Sequence, residues 1–303
     1  MRIDEIIATA TEPTFSFEFF PPQTPEGEEN LRASIQTLAL LQPSFVSITY
    51  GAGGSTRQRT VELVKWMKND LGLEAMAHLT CVGATVEELR AVLDDLRDGG
   101  IENVIALRGD APQGETEWKP VPGGLSHGSE LAALITAHYD FCIAGACYPE
   151  IHQEAPDLAT DLRNLKEKVE AGARVLITQL FFDNRAYFEF VAAARDFGID
   201  VPIVPGIIPV TNVAQLKRMT TLCGAQVPPP LLEALESRAD RPEAVLELGV
   251  AYATLQCAEL LASGAPGIHF YTINRSPATS AIVSALRLLR PWERRGNPVA
   301  STV

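Results

Sequence analysis

The sequence predicts an α/β protein that folds as a (β/α)8 TIM barrel in a single domain. Eight short apolar runs rich in β-forming residues alternate with helical segments, and eight is the number of parallel strands that closes such a barrel. Apart from the last, the runs recur roughly every 30 to 40 residues, which is the length of one strand–helix unit. They are apolar almost throughout, as expected for strands covered on both faces. An open doubly wound sheet is the alternative that these patterns leave open.

The elements follow in order along the chain. The predicted strands span residues 15–19, 45–50, 75–80, 104–108, 141–147, 175–179, 203–207 and 268–273. The predicted helices span residues 28–41, 57–71, 86–98, 129–138, 157–171, 185–197, 213–222 and 242–262, with an extra helix around 230–238 before the eighth strand. Thr85, Asp183 and Thr211 stand where helix N-caps are expected. No linker divides the chain, so we predict one domain over residues 1–290 and a flexible C-terminal tail over residues 291–303.

The net charge argues against several classes of partner, and the cysteine content indicates the redox state of the thiols. The 303 residues include 25 Lys and Arg against 38 Asp and Glu, a formal net charge of −13. Such a surface repels phosphate backbones and anionic lipids, so neither nucleic acid nor a membrane is expected as a partner. The five cysteines form no CxxC pair, which favours reduced thiols. No secretory signal and no 18-residue apolar stretch is found, so we expect a cytoplasmic protein.

Glu18 is the sharpest candidate for a catalytic residue. Barrel active sites lie at the C-terminal ends of the strands, and Glu18 stands there between Phe17 and Phe19. Burial among aromatic rings raises the pKa of a carboxyl group, which lets the acid donate a proton near neutral pH. We therefore interpret Glu18 as a proton donor. The alternative is a structural glutamate paired with an arginine such as Arg275.

Other polar residues carry weaker signals. Asp110 ends the fourth strand near Arg108, where it forms either a ligand contact or a simple ion pair. His78 has no HxH partner, so a core histidine is the simpler interpretation and no metal site is predicted. Three residues at i, i+3 and i+7 share one helix face that serves either a ligand or the solvent: Asp161, Asn164 and Lys168.

Eight motifs at the strand ends, taken in order, resemble those of a known family. They are 17–22 (FEFFPP), 46–52 (VSITYGA), 78–81 (HLTC), 106–110 (ALRGD), 148–152 (YPEIH), 177–183 (ITQLFFD), 205–210 (PGIIPV) and 269–275 (HFYTINR). Together they resemble the methylenetetrahydrofolate reductase family over residues 12 to 290. Eight linked motifs in one order make the resemblance highly specific.

The resemblance implies an FAD-binding catalytic barrel over residues 1–290. It implies the reduction of 5,10-methylenetetrahydrofolate to 5-methyltetrahydrofolate, which supplies methyl groups for methionine synthesis. In the implied ping-pong order, NADH or NADPH passes a hydride to FAD and leaves, and the folate then takes its place. Glu18 is then the general acid that helps to open the five-membered ring of the folate to an iminium, and Asp110 contacts the pterin and tunes the flavin.

The resemblance also assigns ligand contacts. It implies that Gln179, Tyr187 and Arg275 contact the folate, and that Thr49 and Gln179 meet the nicotinamide cofactor. The residues implied to hold FAD are Tyr50, Ala52, His78, Arg108, Gly109, Asp110, Gly128, Tyr148, His152, Ala155, Asp161, Asn164 and Lys168. Family members differ in oligomeric state, so a homo-oligomer is left open.

The sequence departs from the family pattern at two positions. Glu167 stands where many bacterial members have a basic residue beside the lysine that matches Lys168, which weakens the FAD contact expected there. Met219 stands where some members have a phenylalanine that stacks on ligands. The chain ends after the barrel without the C-terminal regulatory domain of eukaryotic members, so we expect no inhibition by S-adenosylmethionine.

The strand ends argue against two other barrel chemistries. A Schiff-base aldolase needs a lysine at a strand end, and none of the eight motifs contains one. A metal-dependent hydrolase needs several His and carboxylate ligands, and only His78 and His152 qualify. Another flavin oxidoreductase acting on an imine, and a non-catalytic flavin- or folate-binding protein, stay open as alternatives.

Overall fold

The computed structural model describes residues 1–22, 24–50, 57–110 and 119–294, which form a parallel sheet surrounded by helices. The strands are β1 (Thr14–Phe19), β2 (Phe45–Ile48), β3 (Ala75–Thr80), β4 (Asn103–Leu107), β5 (Cys142–Cys147), β6 (Ala173–Thr178), β7 (Ile203–Val204), β8 (Gly206–Ile207) and β9 (Gly267–Tyr271). The helices are α1 (Ile3–Thr9), α2 (Pro25–Ala39), α3 (Arg57–Asn69), α4 (Val86–Asp98), α5 (Gly128–His138), α6 (Leu158–Glu170), α7 (Asn184–Asp196), α8 (Val213–Cys223), α9 (Pro229–Glu236), α10 (Pro242–Ala262) and α11 (Pro277–Leu289). Each helix that the sequence predicts is present, including the extra helix before the last strand, which is α9.

The strands close into the predicted barrel. The order runs from β7 through β6, β5, β4, β3 and β2 to β1, then β9 and β8, and every pairing is parallel. β7 and β8 are two halves of the predicted seventh strand, interrupted at Pro205, which has no N–H for the ladder. The N–H of Gly206 donates instead to Oγ1 of Thr178 at 2.9 Å. Because β7 and β8 stand at the two ends of this strand order and are separated only by Pro205, the sheet closes on itself, and the open doubly wound alternative is wrong.

Alternation along the strands separates an outer core from the barrel interior. Phe15, Phe17 and Phe19 of β1 belong to the large apolar cluster beneath the helices, which leaves Ser16 and Glu18 facing the interior. The interior near the N-terminal ends of the strands is apolar. Its members include Phe45, Met76, Ile105, Cys142, Val175 and Val204.

Helix α1, which the sequence analysis does not predict, closes the N-terminal end of the barrel. Ile3 is buried within the interior apolar cluster, and Ile7 packs against it. The main-chain N–H of Ile3 donates to Oδ1 of Asn103 at 2.8 Å, which fixes the helix to β4. Polar chemistry is thereby confined to the opposite end of the barrel.

Helix α10 contains an apolar stretch of 18 residues, which the sequence analysis does not expect. A window of 18 residues within it has a mean hydropathy of 1.3, and 39% of that window is buried, so by length and composition alone it could cross a membrane. The expectation that no such stretch occurs is wrong here. Val245, Ala253, Cys257 and Leu260 are buried on this helix, which packs against α7, α11 and β9 as a barrel helix does.

The packed part of the chain extends beyond residue 290, where the sequence analysis ends the domain. α11 is a helix that the sequence analysis does not predict, and residues Pro291–Arg294 continue it as a 3-10 helix. Trp292 is buried and packs edge-on against Phe15, with ring centroids 6.3 Å apart. The tail predicted from residue 291 therefore starts too early, because this indole covers the outer core below β1. Residues 295–303 lie outside the described part of the chain.

Candidate active site

The carboxyl ends of the strands surround two adjoining cavities. The larger has a volume of about 670 Å³ and the smaller about 360 Å³. Their shared wall consists of Leu107, Arg108, Ala146, Tyr148 and His152. An elongated ligand with one part in each cavity fits this arrangement.

Glu18 lies in the wall of the larger cavity and is only 6% exposed. Its Oε2 lies 3.2 Å from Nε2 of His78 on β3 and 3.3 Å from Nε2 of His269 on β9. Behind His269, Oγ of Ser16 lies 2.7 Å from Nδ1. Alternation on β9, β1 and β3 turns all four side chains into the barrel, with β2 between β1 and β3. They form what we call the Glu18 cluster: Ser16, Glu18, His78 and His269.

The two imidazoles reverse the effect of burial on Glu18. Burial alone would raise the pKa of this carboxyl group, as the sequence analysis expects. The charge of His78, 3.2 Å away, and the hydrogen bond and charge of His269 more than offset burial, and they lower the pKa of Glu18 to about 2. The expected raised pKa is therefore wrong for this arrangement. The carboxylate is paired with histidines, and the alternative pairing with Arg275 is also wrong.

Two residues that line the larger cavity have a buried polar atom without a hydrogen bond within the described residues. The atoms are Nε2 of His78 and Oγ1 of Thr80. Nε2 of His78 is within ion-pair distance of Glu18, but its angles do not make a hydrogen bond. Because buried polar groups are nearly always paired, these atoms indicate a polar ligand in the larger cavity.

The smaller cavity combines a cation with the open end of a helix. Nζ of Lys168 donates to the carbonyl of Ala146 at 2.6 Å, and burial lowers the pKa of Lys168. Helix α5 begins at Gly128 without a side-chain cap, and Gly128 and Ser129 line the cavity. A Cβ at Gly128 would lie 3.1 Å from the carbonyl oxygen of Ala106, so a larger residue would crowd this wall. Helix N-termini and lysines favour anions, so the smaller cavity suits phosphate groups.

A loop after β5 forms the wall between the cavities. Nη1 and Nη2 of Arg108 donate to the Glu154 carboxylate at 2.5 and 2.7 Å. The rings of Tyr148 and His152 pack edge-on with centroids 4.5 Å apart. The main-chain N–H of His152 donates to Oδ2 of Asp161 at 3.1 Å, and burial raises the pKa of Asp161. Aromatic rings beside a guanidinium suit a ligand that carries both a flat ring and phosphates.

Most residues expected to bind ligands line these cavities. The larger cavity is lined by Glu18, Thr49, Tyr50, His78, Arg108, Gly109, Asp110, Tyr148, His152 and Gln179, with Met219 at the same wall. The smaller is lined by Arg108, Gly128, Tyr148, His152, Ala155, Asp161, Asn164 and Lys168, with Glu167 beside them. Ala52 lies outside the described residues. Within the described ranges, no group of three or more His, Cys, Asp or Glu is arranged to hold a metal ion.

A family model for methylenetetrahydrofolate reductase matches residues 2–287, which is nearly the whole chain. The chain belongs to the methylenetetrahydrofolate reductase family. It is 42% identical to the 5,10-methylenetetrahydrofolate reductase of Escherichia coli, in an alignment that covers 89% of this chain and 90% of that protein. It is 40% identical to methylenetetrahydrofolate reductase (NADH) 1 of Arabidopsis thaliana, with 98% of this chain covered.

The relatives in the methylenetetrahydrofolate reductase family differ in length. The chain spans about half of the plant relatives, 54% of the Arabidopsis protein, and about nine tenths of the bacterial ones. A solved structure from Clostridium thermocellum, described as an uncharacterized protein that binds two copies of 5-methyl-5,6,7,8-tetrahydrofolic acid, superposes with a TM-score of 0.64 at 16% identity. That match covers 94% of this chain and 98% of the other, and it shows a shared fold.

Two residues that the family resemblance assigns to folate lie outside both cavities. Tyr187 is buried between α7 and the sheet, where its hydroxyl donates to the carbonyl of Ile203 at 2.8 Å and its ring stacks on Phe181. The Tyr187 hydroxyl group is thus already hydrogen-bonded to β7, the first half of the interrupted seventh strand. Arg275 is exposed and lines a separate groove between α2 and the start of α11. The structure does not bring these two residues to Glu18.

The sequence analysis misses three residues of this reductase-family site: Ser16, His269 and Glu154. Ser16 lies two residues before Glu18, so strand alternation already places both on one face. His269 opens the last strand-end motif, but its contact with Glu18 depends on the register of β1 against β9, which pairs Ser16 with His269. Glu154 is a loop residue with no local signal for its ion pair with Arg108.

Proposed function

We propose that the protein reduces 5,10-methylenetetrahydrofolate to 5-methyltetrahydrofolate, with FAD as its bound cofactor and NADH or NADPH as the hydride donor. The observation that carries the proposal is the buried Glu18 carboxylate, held by two imidazoles at the rim of a barrel of this family. The reaction serves the supply of methyl groups for methionine synthesis in the cytoplasm. The five free cysteines, four of them buried, are consistent with a reducing compartment.

The residues present fit FAD. Tyr148, His152 and His78 line the larger cavity, and Nε2 of His78 has no hydrogen bond within the described residues, which suits a flat ring with polar edges. Lys168 and the N-terminus of α5 suit the diphosphate in the smaller cavity, and Asp161 and Asn164 suit its sugar hydroxyls. When bound, the flavin supplies the hydride transfer between the nicotinamide cofactor and the folate.

The Glu18 cluster supplies a proton. Oε2 of Glu18 accepts the proton from Nε2 of His269, 3.3 Å away, which leaves a neutral acid and a neutral imidazole. This transfer removes the attraction of the His269 charge but not that of His78, so the influences that lower the pKa of Glu18 weaken against the burial that raises it. The neutral acid then protonates the departing nitrogen of the five-membered ring of the folate. The carbon–nitrogen bond breaks, and an electrophilic iminium remains to take the hydride.

The other wall residues orient the two substrates. Oε1 of Gln179 accepts from the main-chain N–H of Leu180 at 2.8 Å, which fixes the side chain so that its amide N–H groups are available to a substrate. Asp110 is exposed at the rim, where it is placed to accept hydrogen bonds from a pterin. Thr49 lines the same cavity, where it is placed to contact a nicotinamide.

Purification with its flavin tests the proposal. We expect a yellow protein whose flavin absorbance bleaches with NADH or NADPH and returns when methylenetetrahydrofolate is added. Stopped-flow reduction with each nicotinamide cofactor then measures which donor is preferred. A protein that binds flavin but transfers no hydride indicates the non-catalytic alternative, and a colourless, inactive protein contradicts the proposal.

Replacing Glu18 separates the two half-reactions. In Glu18→Gln, flavin reduction by the nicotinamide cofactor stays nearly intact, because no proton from Glu18 is needed there. Reduction of the folate is abolished, since a lost general acid costs about 10²- to 10⁴-fold. The matched control is Glu12→Gln, which removes an exposed carboxylate paired with Arg290 outside the described walls of both cavities. Survival of both half-reactions in Glu18→Gln excludes Glu18 as the acid.

A further inference from the structure

Just beyond the last paired residues of β1 and β9, a side chain continues the sheet. The register of these strands ends with Glu18 opposite Tyr271. Two residues further on, Nδ2 of Asn274 donates to the carbonyl of Phe20 at 2.8 Å, and Oδ1 of Asn274 accepts from the N–H of Phe20 at 2.8 Å. The Asn274 amide therefore takes the place of a peptide group and adds one more rung to the ladder.

The backbone that carries this amide is held in an unfavourable conformation. Ile273 and Asn274 have φ values of 52° and 56°, in the left-handed region. Asparagine tolerates that region, but a β-branched isoleucine there is an outlier. The main-chain N–H of Asn274 donates to Oγ1 of Thr272 at 3.2 Å, and its carbonyl accepts from Oγ of Ser34 at 2.8 Å. Strain of this kind persists only where surrounding contacts enforce it, and it collects at functional sites.

The same segment also holds Glu18. Oγ1 of Thr272 donates to the main-chain carbonyl of Glu18 at 2.6 Å. The chain from Glu18 to Phe20 is thus fixed at both ends by residues 272–274. Phe20 lines the larger cavity, whereas Asn274 lines only the groove on the outer side of this segment. Asn274 therefore does not line the cavity beside Glu18.

We infer that Asn274 is a positioning residue for Glu18. Its amide and the hydroxyl of Thr272 fix the main chain on either side of the carboxylate, so that Oε2 stays against the two imidazoles and faces the cavity. Only a planar amide both donates and accepts in this geometry, and asparagine has the length to do so from a left-handed position. The inference rests on the proposed function, because it assigns Asn274 to the step in which Glu18 gives its proton.

Two variants and one control test the inference. Asn274→Asp keeps the acceptor for Phe20 but loses the donor, and Asn274→Leu loses both at similar size. Ser34→Ala is the control, because it removes the hydrogen bond to the Asn274 carbonyl and leaves the amide rung in place. Each variant is measured as holoenzyme for both half-reactions by stopped flow, for KM and kcat separately, and for thermal unfolding.

We expect folate reduction to slow about 10- to 100-fold in Asn274→Asp and more in Asn274→Leu, since a small misplacement of an acid is costly. The loss should appear in kcat rather than KM, and flavin reduction by the nicotinamide cofactor should stay within about twofold of wild type. Ser34→Ala should keep both rates near wild type. Equal losses in both half-reactions, or no loss in either, would overturn the inference.

A second measurement does not depend on catalysis. In Asn274→Leu, looser contact between Glu18 and the imidazoles should make the unfolding free energy depend less on pH between about 2 and 4.5, whereas Ser34→Ala should follow wild type. If the wild-type protein fails to reduce folate, the proposed function fails and this pH dependence alone decides the role of Asn274. An unchanged pH dependence in Asn274→Leu counts against it.

Discussion

Glu18 is ionised in the folded protein although it is buried, and this has a consequence for stability. Its pKa is about 2, below the ordinary value for a glutamate of 4.5, because His78 and His269 outweigh the effect of burial. The folded state therefore binds fewer protons than the unfolded state between these two pH values. A group of this kind adds stability above its unfolded pKa, and that stability is lost as the pH falls through the folded pKa.

The lowered pKa of Glu18 in the folded state leads to a prediction about stability at low pH. When the pH falls from about 5 to about 2, the unfolding free energy of wild type should decrease by up to roughly 3 kcal/mol more than that of Glu18→Gln. The variant has no proton to take up at this position. Urea unfolding of both proteins at several pH values in this window measures the difference. Parallel curves for the two proteins would show that the Glu18 pKa is not lowered by folding.

At this scale, the sequence predicts where Glu18 lies but not how it ionises. An aromatic strand with a carboxylate at its C-terminal end is a local pattern, readable within β1. The imidazoles that set the pKa come from β3 and β9, and His269 is 251 positions away along the chain. Their approach depends on strand register, which no local pattern contains. For the same reason the sequence does not show that Tyr187 and Arg275 lie away from Glu18, because their direction depends on packing around α7 and the start of α11.

Single elements are better predicted than single contacts. α4 is predicted with both boundaries correct. Its start is clear from the sequence because Thr85 accepts from the N–H of Glu88 while the Glu88 side chain accepts from the N–H of Thr85. The seventh strand is predicted as one run and is found as two, since the ladder cannot pass Pro205. α11 is missed, although it has a buried apolar face of the usual kind.

Helix α10 carries a prediction of its own at Gly249. A Cβ at this position would overlap with the main-chain carbonyl of Val210, so the loop after β8 approaches the helix too closely for any side chain. Helix propensity alone would make Gly249→Ala stabilising by about 1 kcal/mol. We expect instead a loss of about 1–3 kcal/mol, because backbone must move to admit the methyl group. Chemical denaturation measures the change.

The control for Gly249 lies two residues along the same helix. Ala251 is exposed, so Ala251→Gly should lose only the propensity difference of about 1 kcal/mol. Opposite substitutions at the two positions should therefore both destabilise the protein. A more stable Gly249→Ala protein would mean that the loop after β8 yields to the methyl group at little cost.

At the scale of the whole molecule, stability and chemistry occupy opposite ends of the barrel. The sequence predicts the catalytic end, because polar residues collect at the C-terminal ends of the strands. The closure of the other end by α1 is not predicted, since seven residues with no side-chain cap give no local helix signal. Ile3 is buried there only because the barrel interior offers an apolar site. Such a helix is defined by the completed fold rather than by its own sequence.

This separation predicts that α1 can be weakened without harm to the site. Ile3→Ala removes a fully buried side chain from the interior cluster and should cost about 2–5 kcal/mol of unfolding free energy. The Glu18 cluster lies at the opposite end, so flavin affinity and both half-reaction rates should match wild type at temperatures well below the unfolding midpoint. Denaturant unfolding, flavin titration and stopped flow measure the three quantities on the same preparation.

Leu255→Ala is the matched control, because this leucine is 72% exposed on α10 and its loss should change stability by only about 0.5 kcal/mol. If Ile3→Ala lowers flavin affinity or slows folate reduction in proportion to its loss of stability, the two ends of the barrel are coupled. The interior apolar cluster would then transmit movement of α1 to the strands that carry Glu18, His78 and His269. Unchanged rates in a clearly destabilised protein would establish that the rim holds its geometry independently of how the barrel is closed below.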